Sequence, residues 1–380
     1  MIYADHAATT ALSKAALTAM LPYFTEYYGN PSSTHAAGTA VSRGILAARE
    51  QLALLLNCAP REIYFTSGGS EANNQALRTV AAIGKQTQRQ HIVCSAFEHP
   101  SVLRTLDELQ DTGFSVTRLA PNQDGLISAA DVQAAMRPDT VAVSVMLANN
   151  EIGTLQPIAE IAVGCRARGI LLHTDAVQAV GHIPVSVRGL QADLLSLSAH
   201  KFNGPTGTGA LIARRGIQPY SLIRGGGQER GSRAGTEHAA GIVGMAAALQ
   251  EKNSDMPKHI AVVTALREQL ISGLLELPQV MLTGSPNARV PGIAHFCIQG
   301  VESETVLALL DERGICASAG SACAAGALEP SHVLRSMGIS GAWAQGALRL
   351  SLGADNTPEE VRQIILAVSE IVTRLRKGTV

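Results

Sequence analysis

Lys201 sits in Ser198-Ala199-His200-Lys201-Phe202-Asn203-Gly204-Pro205, where an apolar alternation over Asp193–Ser198 gives way to a Gly- and Pro-rich turn. The alternation reads as a half-buried strand and the turn as its end. An amine at a strand end in an α/β sheet stands where such folds keep their chemistry. Taken alone, a lysine there is a solvated cation. Upstream, Gly169-Ile170-Leu171-Leu172-His173-Thr174-Asp175 reads as a second apolar strand, ending on a carboxylate. Asp175 could simply cap a helix. Two strand ends of one parallel sheet would instead put Asp175 and Lys201 in one crevice. Phe65-Thr66-Ser67-Gly68-Gly69-Ser70-Glu71 adds a strand, a Gly-Gly-Ser turn and a helix start. Free N–H groups and the dipole at such a start bind phosphate, and glycine lets the backbone approach closely. An amine for a Schiff base, a carboxylate for a ring nitrogen and a phosphate cradle are together the requirements of pyridoxal phosphate.

Other residues suit the same crevice. His99, in Glu98-His99-Pro100, lies just past a strand, where it can stack on a ring, move protons or only fill a turn. Asn149-Asn150-Glu151 ends the most apolar strand with two amides, which otherwise suit a turn. Arg349 is a lone cation in the apolar run Ala347–Leu352 and needs a carboxylate, from the protein or from a substrate. Cys323 lies in a Gly-, Ala- and Ser-rich stretch, Ala317 to Pro330, that cannot pack as core. A cysteine there suits a nucleophile better than a structural role. Cys94 and Cys297 lie in strand-like runs and read as buried, as does Cys316 in its apolar context.

These side chains need a scaffold. Strand and helix patterns alternate from Ile63 to about Ala213, which predicts a parallel, doubly wound α/β sheet. Helices are expected over about 14–27, 39–56, 72–83, 102–110, 129–136 and 158–168, and a continuous strand over Val141–Leu147. A Gly-rich hinge, Arg224–Thr236, precedes further long helices and a smaller α+β part. Thr357-Pro358-Glu359-Glu360 is a strong helix start. The expected division is a large domain, 14–252, and a small one made of 1–13 and 253–380.

Composition sets limits. The 380 residues carry a net charge of −1, with 46% hydrophobic and 16% charged residues, which describes a packed globule. No basic run suggests nucleic acid, and no apolar run is long enough to span a membrane. No signal design opens the chain, so a cytoplasmic location is expected. The cysteines form no C-x-x-C pair, so no metal site is expected.

The chain resembles the NifS/IscS-type cysteine desulfurases, within the fold-type I, class V aminotransferase-like pyridoxal-phosphate enzymes. The resemblance runs over essentially the whole length. It is carried by Tyr28-Gly29-Asn30-Pro31-Ser32-Ser33, Thr66-Ser67-Gly68-Gly69-Ser70-Glu71, Asn149-Asn150-Glu151-Ile152-Gly153, His173-Thr174-Asp175-Ala176-Val177-Gln178, Ser198-Ala199-His200-Lys201, Arg233-Ala234-Gly235-Thr236 and Ser321-Ala322-Cys323 with Leu328-Glu329-Pro330-Ser331-His332-Val333-Leu334. It implies that Lys201 forms the Schiff base and shuttles protons, that Asp175 pairs with the pyridinium nitrogen and that Gln178 contacts the phenolic oxygen. His99 would stack on the ring and assist proton transfer. Gly69, Ser70, Ser198 and His200 would hold the phosphate. Thr236 would reach the phosphate of a partner subunit, which implies a homodimer. Asn150 and Arg349 would hold the carboxylate of L-cysteine. Cys323 would take its sulfur as a persulfide and pass it to an acceptor or scaffold protein, for iron–sulfur clusters or thio-cofactors. A selenocysteine lyase or another aminotransferase-like enzyme is the alternative. The sequence departs from the family pattern at Asp5-His6-Ala7-Ala8, where many members are Asn-rich, and at Ala324-Ala325-Gly326, which is more apolar than usual. Its tail after Arg376 is also short, which leans toward a NifS-like or specialised member.

Overall fold

A computed structural model describes residues 1–320 and 331–378. Its main sheet has the strand order Ile63–Thr66, Gly209–Ala213, Leu194–Ser198, Leu171–Asp175, Thr140–Ser144, His91–Ser95, Ser115–Leu119. The ladders from Leu194–Ser198 out to Ser115–Leu119 are parallel. Gly209–Ala213 runs antiparallel to both its neighbours. The sheet is therefore mixed but mainly parallel. The central strands are buried along their whole length, as a sheet covered on both faces requires.

A smaller antiparallel sheet orders Ala347–Ser351, Ile293–Ile298 and Val280–Thr283. Helices Met256–Leu275, Ser303–Asp311 and Pro358–Arg376 cover it, through Leu266, Leu270, Val306, Leu310, Ile364 and Val368 among others. Thr357 opens the last helix with the expected capping box: its hydroxyl accepts from the Glu360 N–H, and the Glu360 carboxylate accepts from the Thr357 N–H. Ile2–Tyr3 pairs in parallel with Ile315–Cys316, and Ile2 and Ala4 join this second core. Helix Ala239–Ser254 instead packs Ile242, Met245 and Leu249 into the core of the main sheet.

Several elements depart from the sequence expectation. The 14–27 helix is two pieces, Lys14–Met20 and Pro22–Thr25, divided before the proline. The helix expected from 72 begins at Gly69, because the Gly-Gly-Ser turn is its first turn. The strand expected over Val141–Leu147 is Thr140–Ser144. Beyond Ser144 the ladder stops, yet the Val145 and Leu147 N–H groups still donate to the His173 and Asp175 carbonyls. Cys316 is half-buried rather than buried, since Ile315 takes the inward position of that short strand.

The Gly-rich segment 224–236 is pinned rather than loose. Glu229 and Arg230 hold positive φ of 46° and 57°, a region that non-glycine residues enter at a cost. The Glu229 carboxylate repays it. It accepts from the Phe65 N–H at 3.0 Å and from both Arg49 Nη atoms, at 3.0 and 2.5 Å. Both partners are buried. Arg49→Met would leave that carboxylate buried and short of donors, at an expected cost of about 3–5 kcal/mol in equilibrium unfolding of the holoenzyme. A loss below about 1 kcal/mol would show that the pair does not hold the segment.

Candidate active site

The parallel strands Leu171–Asp175 and Leu194–Ser198 end side by side, and their ends open into a cavity of about 270 Å³. Ten of the residues singled out in the sequence line it: Gly69, Ser70, His99, Asn150, Asp175, Gln178, Ser198, His200, Lys201 and Arg349. Thr236 does not. It is exposed, outside the cavity of its own chain. Cys323 lies outside the described residues.

Lys201 closes a 3-10 turn, Ala199–Lys201, directly after its strand. Its Nζ donates to the carbonyls of Ala7 at 2.5 Å and Ala8 at 2.8 Å. Those carbonyls belong to the N-terminal segment, which crosses the site as a strap. The Thr10 N–H donates to the His200 carbonyl, and the Ser13 N–H to that of Asn203. Gln178 Nε2 donates to the Ala7 carbonyl at 2.8 Å.

Asp175 is buried and stabilised by donors. Oδ1 accepts from the Val177 N–H at 2.9 Å, and Oδ2 from Asn73 Nδ2 at 2.6 Å. Asn73 lies on helix Gly69–Thr87, the helix whose first turn carries Ser70. The first N–H groups of that helix have no intrahelical acceptor. A Cβ at Gly69 would come 2.7 Å from the Val177 side chain, so only glycine seats this turn without a shift. A donor-lined helix start, a buried aspartate and a strand-end amine around one cavity fit pyridoxal phosphate.

His99 caps helix Pro100–Asp111, its Nδ1 accepting from the Ser101 N–H at 3.1 Å. Burial lowers its pKa, with Lys201 and His332 adding and Asp175 opposing, so it is held toward the neutral form. His200 is pushed to about 4 by burial and then by Lys201. Below the floor, His173 lies between the hydroxyls of Ser144 at 2.8 Å and Ser196 at 3.2 Å, and burial drops it to about 4.

Arg349 finds the protein carboxylate that the sequence left open as an alternative. Its Nη2 donates to Asp5 at 2.8 Å, and its Nη1 donates to the carbonyls of Asn150 at 2.9 Å and of Gly320. Its buried Nε has no acceptor among the described residues.

Asn73, Asp5 and Glu98 were not assigned from sequence. Asn73 could have been found from its helical spacing to Ser70, which shares its face. Glu98 carries no local signal. It is wholly buried and accepts from the Met146 N–H at 2.9 Å and from the Ser95 hydroxyl.

A class V aminotransferase family model matches residues 2–364. A cysteine desulfurase IscS of Clostridium botulinum is 44% identical over 379 residues, covering 99% of this chain and 95% of that one. A cysteine desulfurase IscS of Methanosarcina thermophila is 44% identical over 375 residues, covering 99% and 93%. Among solved structures, a NifS-like protein matches with a TM-score of 0.92 at 35% identity, covering 98% and 99% of the two chains. SspA in complex with cysteine matches with a TM-score of 0.82 at 34% identity, covering 94% and 100%. The chain belongs to the class V aminotransferase family, on a fold-type I α/β scaffold. Within it, the chain is a cysteine desulfurase of the IscS/NifS type that uses pyridoxal phosphate.

Burial raises the Glu98 pKa from 4.5 to about 8. A raised folded pKa gives stability that is full below the unfolded value and is lost as pH rises through about 8. Between about pH 5 and about pH 9, the thermal midpoint of wild type should therefore fall relative to Glu98→Gln, which keeps the shape and does not titrate. Parallel curves would contradict this.

Proposed function

We propose that the chain takes the sulfur of L-cysteine onto Cys323 as a persulfide, leaving alanine, with the cavity between Asp175 and Lys201 as the site. The observation that carries the reading is the strand-end pairing of that amine and that donor-stabilised carboxylate beside an open helix N-terminus. Pyridoxal phosphate, when bound, supplies an electron sink for charge developing at the substrate α-carbon. Asp175 would keep a proton on the ring nitrogen, and the Gln178 amide would donate to the phenolic oxygen. Gly69, Ser70 and Ser198 would hold the phosphate with N–H and hydroxyl donors. His200, kept neutral, adds a donor without a charge. His99 would cover the ring and pass protons. Lys201 would hold the cofactor, and its amine would move the proton of the substrate α-carbon.

The Nε–H of Arg349 and the Asn150 amide receive the substrate carboxylate. The Cys323 thiolate attacks the substrate sulfur. An S–S bond forms, the Cβ–S bond breaks, and the electron pair left on Cβ takes a proton to become the alanine methyl. Burial raises Cys58, Cys165 and Cys297 to about 12, and Cys94 is raised also, so these four are held as thiols. That supports Cys323 as the acceptor.

The shared IscS name of the relatives supports an iron–sulfur scaffold as the next sulfur acceptor, ahead of a thiolation enzyme. A homodimer is proposed on Thr236, exposed and outside its own cavity, and on Leu17, Leu21, Phe24 and Tyr28, which leave apolar surface open along 14–28. Two of the three packing clusters support a large domain over 14–252 and a small one over 1–13 with 253–380, each lying wholly on one side of that division, while the third joins them through Ala7, Val290, Ile293 and Val333. The described cysteines are free, as in the reducing cytoplasm, where we place the protein. No helix among the described residues is long and apolar enough to cross a membrane.

With a reductant present, wild type should release alanine and sulfide from L-cysteine, and Cys323→Ala should release neither while keeping cofactor absorbance near about 420 nm. Full activity in Cys323→Ala would move the reading to a selenocysteine lyase or aminotransferase.

A further inference from the structure

The residues on either side of 321–330 meet at one carboxylate. Glu151 is 1% exposed. Its Oε2 accepts from the Ser331 hydroxyl at 2.5 Å. The same oxygen lies 2.8 Å from where a Cβ on Gly320 would stand, and Gly320 holds φ at +131°. Only glycine brings the chain past the carboxylate there. The Gly320 carbonyl also accepts from Arg349, whose Nη1 reaches the Asn150 carbonyl as well. On the far side, Ser331 caps helix His332–Ser336, accepting from the Val333 N–H at 3.1 Å. The next residue, His332, contacts the Glu98 carbonyl through Nε2 at 2.9 Å.

Glu151 is itself held in place. Asn149 Oδ1 accepts from the N–H groups of Glu151 at 2.9 Å and Ile152 at 3.0 Å, an Asx turn at the cavity wall. A carboxylate this buried is costly unless its acceptors are used. Its hydrogen-bond partner here is Ser331, and Gly320 packs against it, so both borders of the segment that contains Cys323 meet this carboxylate.

We propose that Glu151 is a positioning residue for sulfur transfer, tying Ser331 to the Asn149–Asn150 turn and packing against Gly320, so that both ends bordering the segment with Cys323 are clamped beside Arg349. The inference rests on Cys323 being the sulfur acceptor. Glu151 does not line the cavity. Its removal therefore slows persulfide formation and leaves substrate and cofactor binding in place.

The test uses the holoenzyme with Glu151→Ala, Ser331→Ala and the double variant. A misplaced nucleophile should lower kcat for alanine formation, and the single-turnover rate of persulfide labelling of Cys323 by mass spectrometry, about tenfold in either single variant. Because both changes open one clamp, the double variant should lose no more than the worse single variant. KM for L-cysteine should stay within about twofold, with cofactor absorbance unchanged. Glu151→Gln keeps an acceptor oxygen and should recover most of the rate.

Losses that multiply in the double variant, a loss confined to KM, or wild-type kcat in Ser331→Ala would each overturn the clamp. The Ser331→Ala result stands even if Glu151→Ala does not fold. Cys323→Ala is run alongside. If it is inactive while the clamp variants are fully active, only the clamp fails. If it is as active as wild type, the cysteine reading itself has failed and takes the clamp with it.

Discussion

The structure depends on one buried guanidinium. Arg349 is 2% exposed and sits in the middle of an apolar strand. A cation there must be met on several sides or it would unfold its surroundings. The groups that meet it come from separate parts of the chain: the Asp5 carboxylate from the N-terminus, the Asn150 carbonyl from the main sheet, and the Gly320 carbonyl from the small part. Backbone pairing of Arg349 with Ser318 adds a further tie. Satisfying this one charge therefore brings together the two cores and the strap that crosses the cavity.

The strap explains why the opening residues are small. The Ala7 and Ala8 carbonyls approach the Lys201 amine, and the Ala7 carbonyl also takes the Gln178 amide. A larger side chain at either position would compete for the cavity that both border. The imidazoles around the site are neutral for one shared reason, burial, which lowers His99, His173, His200 and His295. The field in the cavity is then set by Lys201, Asp175 and Arg349. That division suits chemistry in which protons move at a few atoms while an anionic substrate is held by one cation.

Much of this was legible in the sequence, because strand ends carry local signals. Apolar runs that stop on Asp175 and before Lys201 announce both the strands and the residues that their ends bring to the cavity, and the Gly-Gly-Ser turn announces its helix. What could not be read is held by distant partners. Nothing near Asp5 points to Arg349, and nothing near Glu229 points to Arg49 and the Phe65 N–H. Those pairings exist only once the sheet has formed. The direction of Gly209–Ala213 was also not readable, since a short apolar strand has the same pattern in either sense. His6, in the opening that departs from the family, packs edge-on against Tyr3 and lies 3.7 Å from Asp355, and it does not line the cavity.

The central claim is that the cofactor is carried by the amine at the end of Leu194–Ser198, opposite Asp175. Reduction of the holoenzyme with borohydride would fix the cofactor covalently to its lysine, and peptide mapping by mass spectrometry would locate it. The account predicts the label on the peptide containing Lys201. A label on Lys252 or any other lysine, with Lys201 unmodified, would contradict it.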